Sequence, residues 1–141
     1  MVEPVVAELY VAPGLASFEF RDYAFLGEGS VLAAEAARCA GDQDNFWDFH
    51  DLIFANVDNP NLPGLTRASF DLFAQYLELD MDAFGTCMDE HTHLAAVEES
   101  RQQASAIGVS GTPTILLNGE LVTGIQTYDE LFQMIEEAAG E

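Results

Sequence analysis

The sequence predicts an α/β protein: a small sheet with helices around it and a long helical insertion. Three observations carry that reading. Residues 16–25, ASFEFRDYAF, alternate apolar and polar side chains with the period of a strand. Residues 30–107 then read as a succession of helices. The chain closes on the β-rich run Thr114–Leu117, an Asn118-Gly119 turn, a returning run Leu121–Thr123 and a last helix. A sheet whose strands lie on either side of a helical run, and which a helix follows, is an α/β layer arrangement.

Residues 4–10, PVVAELY, read as a short helical turn or the tail of a helix, with Pro4 tolerated in a first turn. Pro13-Gly14 marks a turn. In the strand, Phe18 and Phe20 alternate with Glu19 and Arg21. Gly27 and Gly29 break it, and Ser30 caps a helix that runs to Gly41 with Leu32, Ala33, Ala36, Ala37 and Ala40 as its apolar stripe. Residues 45–57 form a second amphipathic helix with Phe46, Phe49, Ile53 and Phe54 inward. Residues 58–65 hold two Pro, two Asn and a Gly and read as a loop. Thr66 caps a third helix through Leu77, and Asp80 a short fourth one carrying Phe84 and Cys87. A fifth runs from about Thr92 to Ile107 and stops at Gly108, a C′ glycine. Asn118-Gly119 is a strong hairpin signal. Thr127 to Glu130 is a capping box, opening a helix with Leu131, Phe132, Ile135 and Ala138 facing in.

At 141 residues the chain holds one core, so residues 1–141 are expected to be a single domain. Residues 1–29 and 108–141 make its sheet-bearing core, and 30–107 an inserted helical subdomain. A hydrophobic content of 49% excludes a disordered acidic tail. No apolar run approaches the roughly 20 residues of a membrane helix, so no membrane insertion is expected. The net charge is −21: 25 acidic residues oppose four Arg, and there is no Lys. Such a surface repels phosphate, which excludes nucleic acid as a partner. It also repels itself at low ionic strength. Many carboxylates without Lys resemble the composition of a protein from a salt-loving organism; the alternative is an ordinary acidic protein. The chain opens Met1-Val2-Glu3-Pro4, with neither a basic n-region nor an apolar h-region.

Few residues could carry chemistry. Gly111-Thr112-Pro113-Thr114 stands directly before an apolar strand, where a Pro at the first position costs no ladder bond. An X–Pro bond is ordinarily trans. Cys39 and Cys87 lie in two predicted helices, 48 positions apart, and are either two buried thiols or a pair. The 141 residues contain no Cys-x-x-Cys. His50 lies on an aromatic helix and reads as a packed, hydrogen-bonded residue rather than a catalyst. His91 and His93 lie near Cys87, Asp89 and Glu90, but their spacing fits no closed zinc pattern. On a helix the two would diverge by about 200°. No metal and no cofactor is therefore expected.

The element order, together with Phe18–Asp22, Ala33–Ala40, Phe46–Leu52 and Gly108–Thr114, resembles the thioredoxin-like fold, and more narrowly the DsbA-like thiol:disulfide oxidoreductases of bacterial envelopes. The resemblance covers essentially the whole chain. It implies that the bond before Pro113 is cis. It also implies that Gly111, Thr112 and Pro113 receive extended or unfolded polypeptide, with the backbone of Thr112 pairing to it. It implies further that Cys39 and Cys87 form a structural disulfide, and that the compartment is the periplasm or cell envelope.

The family's chemistry lies in a Cys-x-x-Cys after a first strand, and Met1 falls in what resembles the helix following that motif. The expectation is a truncated or misplaced start, with no catalytic residue in this chain and no activity of its own. The strand at 16–25 would sit in one sheet with the hairpin, and the exposed edges make strand exchange a route to a homodimer. Two alternatives stand beside the oxidoreductase: a redox-dead peptide-binding module, and a glutathione-dependent isomerase or transferase. Four Arg leave the last with few sites for a glutathione carboxylate.

Overall fold

The computed structural model describes residues 3–122 and 127–140. Its elements follow the chain as α1 (Glu3–Val6), a π-helical turn Ala7–Val11, α2 (Glu28–Gly41), α3 (Phe46–Asn56), α4 (Arg67–Tyr76), α5 (Met81–Asp89), α6 (Leu94–Ala106), β1 (Ile115–Leu117), β2 (Glu120–Val122) and α7 (Tyr128–Ala139). They divide into two compact units. One takes the chain up to Arg21 and from Val109 onward, and the other takes Asp22–Gly108. The sequence reading put those boundaries at 29/30 and 107/108.

In the first unit, β1 and β2 pair antiparallel, with Ile115 opposite Val122 and Leu117 opposite Glu120. Asn118 and Gly119 both take positive φ, 50° and 87°, as a two-residue hairpin turn requires. Thr123, assigned to the returning strand, lies outside the described residues. Thr127 accepts from the Glu130 amide while the Glu130 carboxylate accepts from the Thr127 amide, the reciprocal cap foreseen for α7. Leu131 and Ile135 from α7 bury against Val6 and Tyr10, with Ile115, Leu117 and Phe132 at the margin.

The second unit is helical. Phe49 of α3 is the centre of its core, with ring centroids 5.6 Å from Phe84 and 6.0 Å from Phe73. The alanines of α2 pack closely beside them. Thr66 and Asp80 cap α4 and α5 by accepting from the Ser69 and Ala83 amides. Among the described residues no helix is long and apolar enough to cross a membrane.

Three expectations are corrected. Residues 16–25 form no strand, and the sheet among the described residues has two strands. Alternation reports a two-faced environment, whereas a strand exists through its ladder. Here Asp22 and Ala24 are buried while Phe18 is exposed. The Asp22 carbonyl accepts from the Ser100 hydroxyl at 2.8 Å, a side chain rather than a neighbouring strand. Ser30 does not cap α2. Gly27, at φ 95°, ends the loop, and its carbonyl accepts from the Ser30 amide, so the helix starts three residues earlier. Gly29 is then helical, and a side chain there would meet the Leu65 carbonyl at 3.1 Å. Phe54 is exposed, and His50 takes the buried position on α3.

Candidate functional site

The segment leading into the hairpin is built from its backbone. Gly108, at φ 95°, ends α6, and Val109 is buried. The Thr112–Pro113 bond is cis. Gly111 is half-buried, and Thr112, Pro113 and Thr114 are exposed. The Thr114 hydroxyl donates to the Gly111 carbonyl at 2.6 Å and closes the loop on itself. β1 starts at Ile115, two residues after Pro113, so the proline precedes the strand instead of opening it.

Cys39 of α2 and Cys87 of α5 are joined in a disulfide, with Cα atoms 5.9 Å apart. Cys39 is 1% exposed, and Cys87 is partly buried at the rim of the same core. His93, at the start of α6, points its Nε2 at Asp42 Oδ2 across 2.7 Å. That carboxylate oxygen lies 3.7 Å from Cys87 Sγ. A disulfide sulfur has no proton to give, so this is a close polar approach and not a hydrogen bond. Two sulfurs, an imidazole and a carboxylate therefore meet on one side of the helical unit.

The two neighbouring histidines go to different carboxylates. His91, at φ 50° in the turn between α5 and α6, brings Nδ1 to 3.0 Å from Glu35 Oε1. Glu35 is 2% exposed, and the sequence reading missed it because it lies on the alanine face of α2. A buried carboxylate needs a partner, and His91 supplies it. His50 packs against Phe54 at 4.7 Å and Trp47 at 5.4 Å, and its Nδ1 is 2.9 Å from Asp51 Oδ1. Trp47 is exposed.

A family model described as thioredoxin matches residues 2–137. The chain belongs to this family. Disulfide bond formation protein D of Bacillus subtilis is 27% identical over 136 residues, covering 94% of this chain. Na(+)/H(+) antiporter NhaA 1 of Salinispora arenicola is 34% identical over 107 residues, a stretch that is 76% of this chain and 16% of that protein. The crystal structure of oxidised BdbD from Bacillus subtilis matches with a TM-score of 0.85 at 26% identity, covering 98% of this chain and 76% of that one. The chain spans about 61% of the length of the curated Bacillus subtilis relative.

This thioredoxin-family chain has the thioredoxin-like fold, with mixed helices and, among the described residues, a small two-stranded sheet. The fold stands although residues 16–25 add no strand to that sheet. The expectation of inactivity is not supported, because Cys39 and Cys87 are joined in a disulfide. That pair spans 48 positions and so differs in kind from a Cys-x-x-Cys. Asp42, three residues after Cys39 on one helical face, was the legible signal for a polar group beside it. His93 reaches the pair through a turn, which helical spacing could not show.

Proposed function

We propose that this chain is the body of a thiol:disulfide oxidoreductase of the DsbA-like, BdbD type, acting on protein thiols and disulfides. The observation that carries the reading is the likeness to oxidised BdbD along 98% of the chain. The loop Gly111–Pro113, placed before an edge strand with Thr112 and Pro113 exposed, supports docking of extended polypeptide. Within the chain the bond proposed to exchange is Cys39–Cys87, and Cys87, the less buried of the two, is the sulfur proposed for attack. Attack there breaks the bond and releases Cys39 as thiolate. A second substrate thiolate then displaces Cys87, leaving a substrate disulfide and a reduced chain.

The test is to mix the oxidised chain with an unfolded polypeptide carrying two thiols and count thiols on both by alkylation and mass spectrometry. The reading predicts one substrate disulfide formed, with Cys39 and Cys87 appearing as thiols. Intact substrate thiols with an intact Cys39–Cys87 bond would overturn exchange through this pair. The burial of Cys39 favours a second reading in that case: a polypeptide-binding module in which the pair is a staple.

A further inference from the structure

Cys39 Sγ, Cys87 Sγ and a ring nitrogen of His93 all lie within 4.8 Å of one another. Asp42 Oδ2 lies beside this group, 2.7 Å from His93 Nε2 and 3.7 Å from Cys87 Sγ. While the sulfurs are bonded to each other they are poor ligands, because a metal takes the thiolate. From this juxtaposition we propose that reduction of the Cys39–Cys87 disulfide uncovers a zinc site with Cys39, Cys87, His93 and Asp42 as its four ligands. The inference does not depend on the proposed exchange activity.

The donor set selects the metal. Two thiolates, an imidazole and a carboxylate match the S, N and O donors that zinc takes in a tetrahedron. In such a site, with Zn–S bonds of about 2.3 Å, the sulfurs stand about 3.8 Å apart. Side-chain torsions on α2 and α5 open that distance from the bonded one, with the Cα atoms already 5.9 Å apart. The surroundings also fit. The site has one closed side, where Cys39 is buried in the helical core, and one open side, where the His93 side chain is 22% and the Asp42 side chain 54% exposed. An ion can enter from that open side. The chain as a whole carries a net charge of −21, which concentrates cations near it. The spacing follows a recognisable logic: Cys39 in the last turn of α2 and Asp42 at its C-cap lie three residues apart, and Cys87 and His93 flank the turn after α5. The spacing of His91 and His93 alone does not show it, because two of the ligands come from the C-terminal end of α2 and its cap.

The steps balance. A dithiol reductant supplies two electrons and two protons and leaves as its disulfide, and the chain's S–S bond becomes two thiols. Zinc then displaces the two thiol protons, which go to solvent, and binds two thiolates. Rising pH favours binding for that reason.

The test uses the 141-residue chain and a phosphine reductant, which becomes its oxide with water supplying the oxygen and the two protons. Cobalt(II) and zinc are titrated into oxidised and reduced chain, followed by visible absorption and circular dichroism. The proposal predicts one ion per reduced chain, a thiolate-to-cobalt charge-transfer band, tetrahedral d–d absorption, and none of these in the oxidised chain. His93→Ala and Asp42→Ala should each weaken zinc binding at least ~10-fold, the loss seen even for groups one step removed from a metal. If reduction unfolds the chain, zinc should refold it, and should fail to do so in His93→Ala. A reduced, folded chain without the charge-transfer band, a reduced chain that zinc does not refold, or His93→Ala binding as tightly as the parent would each overturn the proposal.

Discussion

Arg38 donates through Nε to Asp22 Oδ2 at 2.6 Å, and the carboxylate it holds is 6% exposed. Asp22 therefore depends on that guanidinium for much of the solvation it has lost. Arg38→Ala should destabilise the chain by about 2 kcal/mol, between the values for exposed and buried pairs, because the Arg38 side chain is 31% exposed. Urea unfolding checks it. Arg38→Lys should recover only part of the loss, since a lysine cannot offer the same planar donor.

The Cys39–Cys87 bond closes a loop of 48 positions, worth about 4 kcal/mol in the chain-entropy account. The double variant Cys39→Ser, Cys87→Ser should lower the denaturation midpoint by that order without changing the helical signal at low denaturant. An unchanged midpoint would mean that the packing of α2 against α5 is sufficient alone.

Tyr10 donates its hydroxyl to Glu136 Oε1 at 3.3 Å. Its pKa is raised above 10.0, first by desolvation and then by the Glu136 charge and hydrogen bond. A raised folded-state pKa favours the neutral phenol in the native chain. The contribution is therefore present below pH 10.0 and is lost as pH rises through the raised value. Stability measured across the alkaline range should fall there, and Tyr10→Phe should flatten that part of the fall.

With 25 acidic residues against four Arg, repulsion opposes the compact state. Sodium chloride up to about 0.5 M should screen it, since the Debye length falls below about 10 Å above 0.1 M. Thermal melts should rise by roughly 5 °C, the response to about 2 kcal/mol in a chain of this size. Melts independent of salt would show that the acidic groups lie too far apart to matter.

Local signals were legible where local physics decides the outcome. The capping box at Thr127–Glu130, the caps at Thr66 and Asp80 and the Asn118-Gly119 turn need only neighbours within a few residues. Alternation at 16–25 misled because a ladder needs a partner strand, and the pattern carries no information about one. The site was half legible. The loop at Gly111–Pro113 stood out through its glycine and proline, and the exposure of Thr112 and Pro113 adds the surface on which docking rests. Glu35–His91 and the meeting of His93 with Asp42 join residues 56 and 51 positions apart, and only the packing of α2 against the α5–α6 turn brings them together.

The central claim is that extended polypeptide docks on the loop Gly111–Pro113. A titration of nitrogen-labelled chain with an unfolded cysteine-free peptide, followed through backbone amide resonances, tests it without any redox step. The account predicts saturable shifts at Gly111, Thr112 and Thr114, with the amides of α3 and α4 unmoved. Shifts confined to other segments, or none at peptide concentrations up to about 1 mM, where binding free energy falls to roughly 4 kcal/mol, would contradict it.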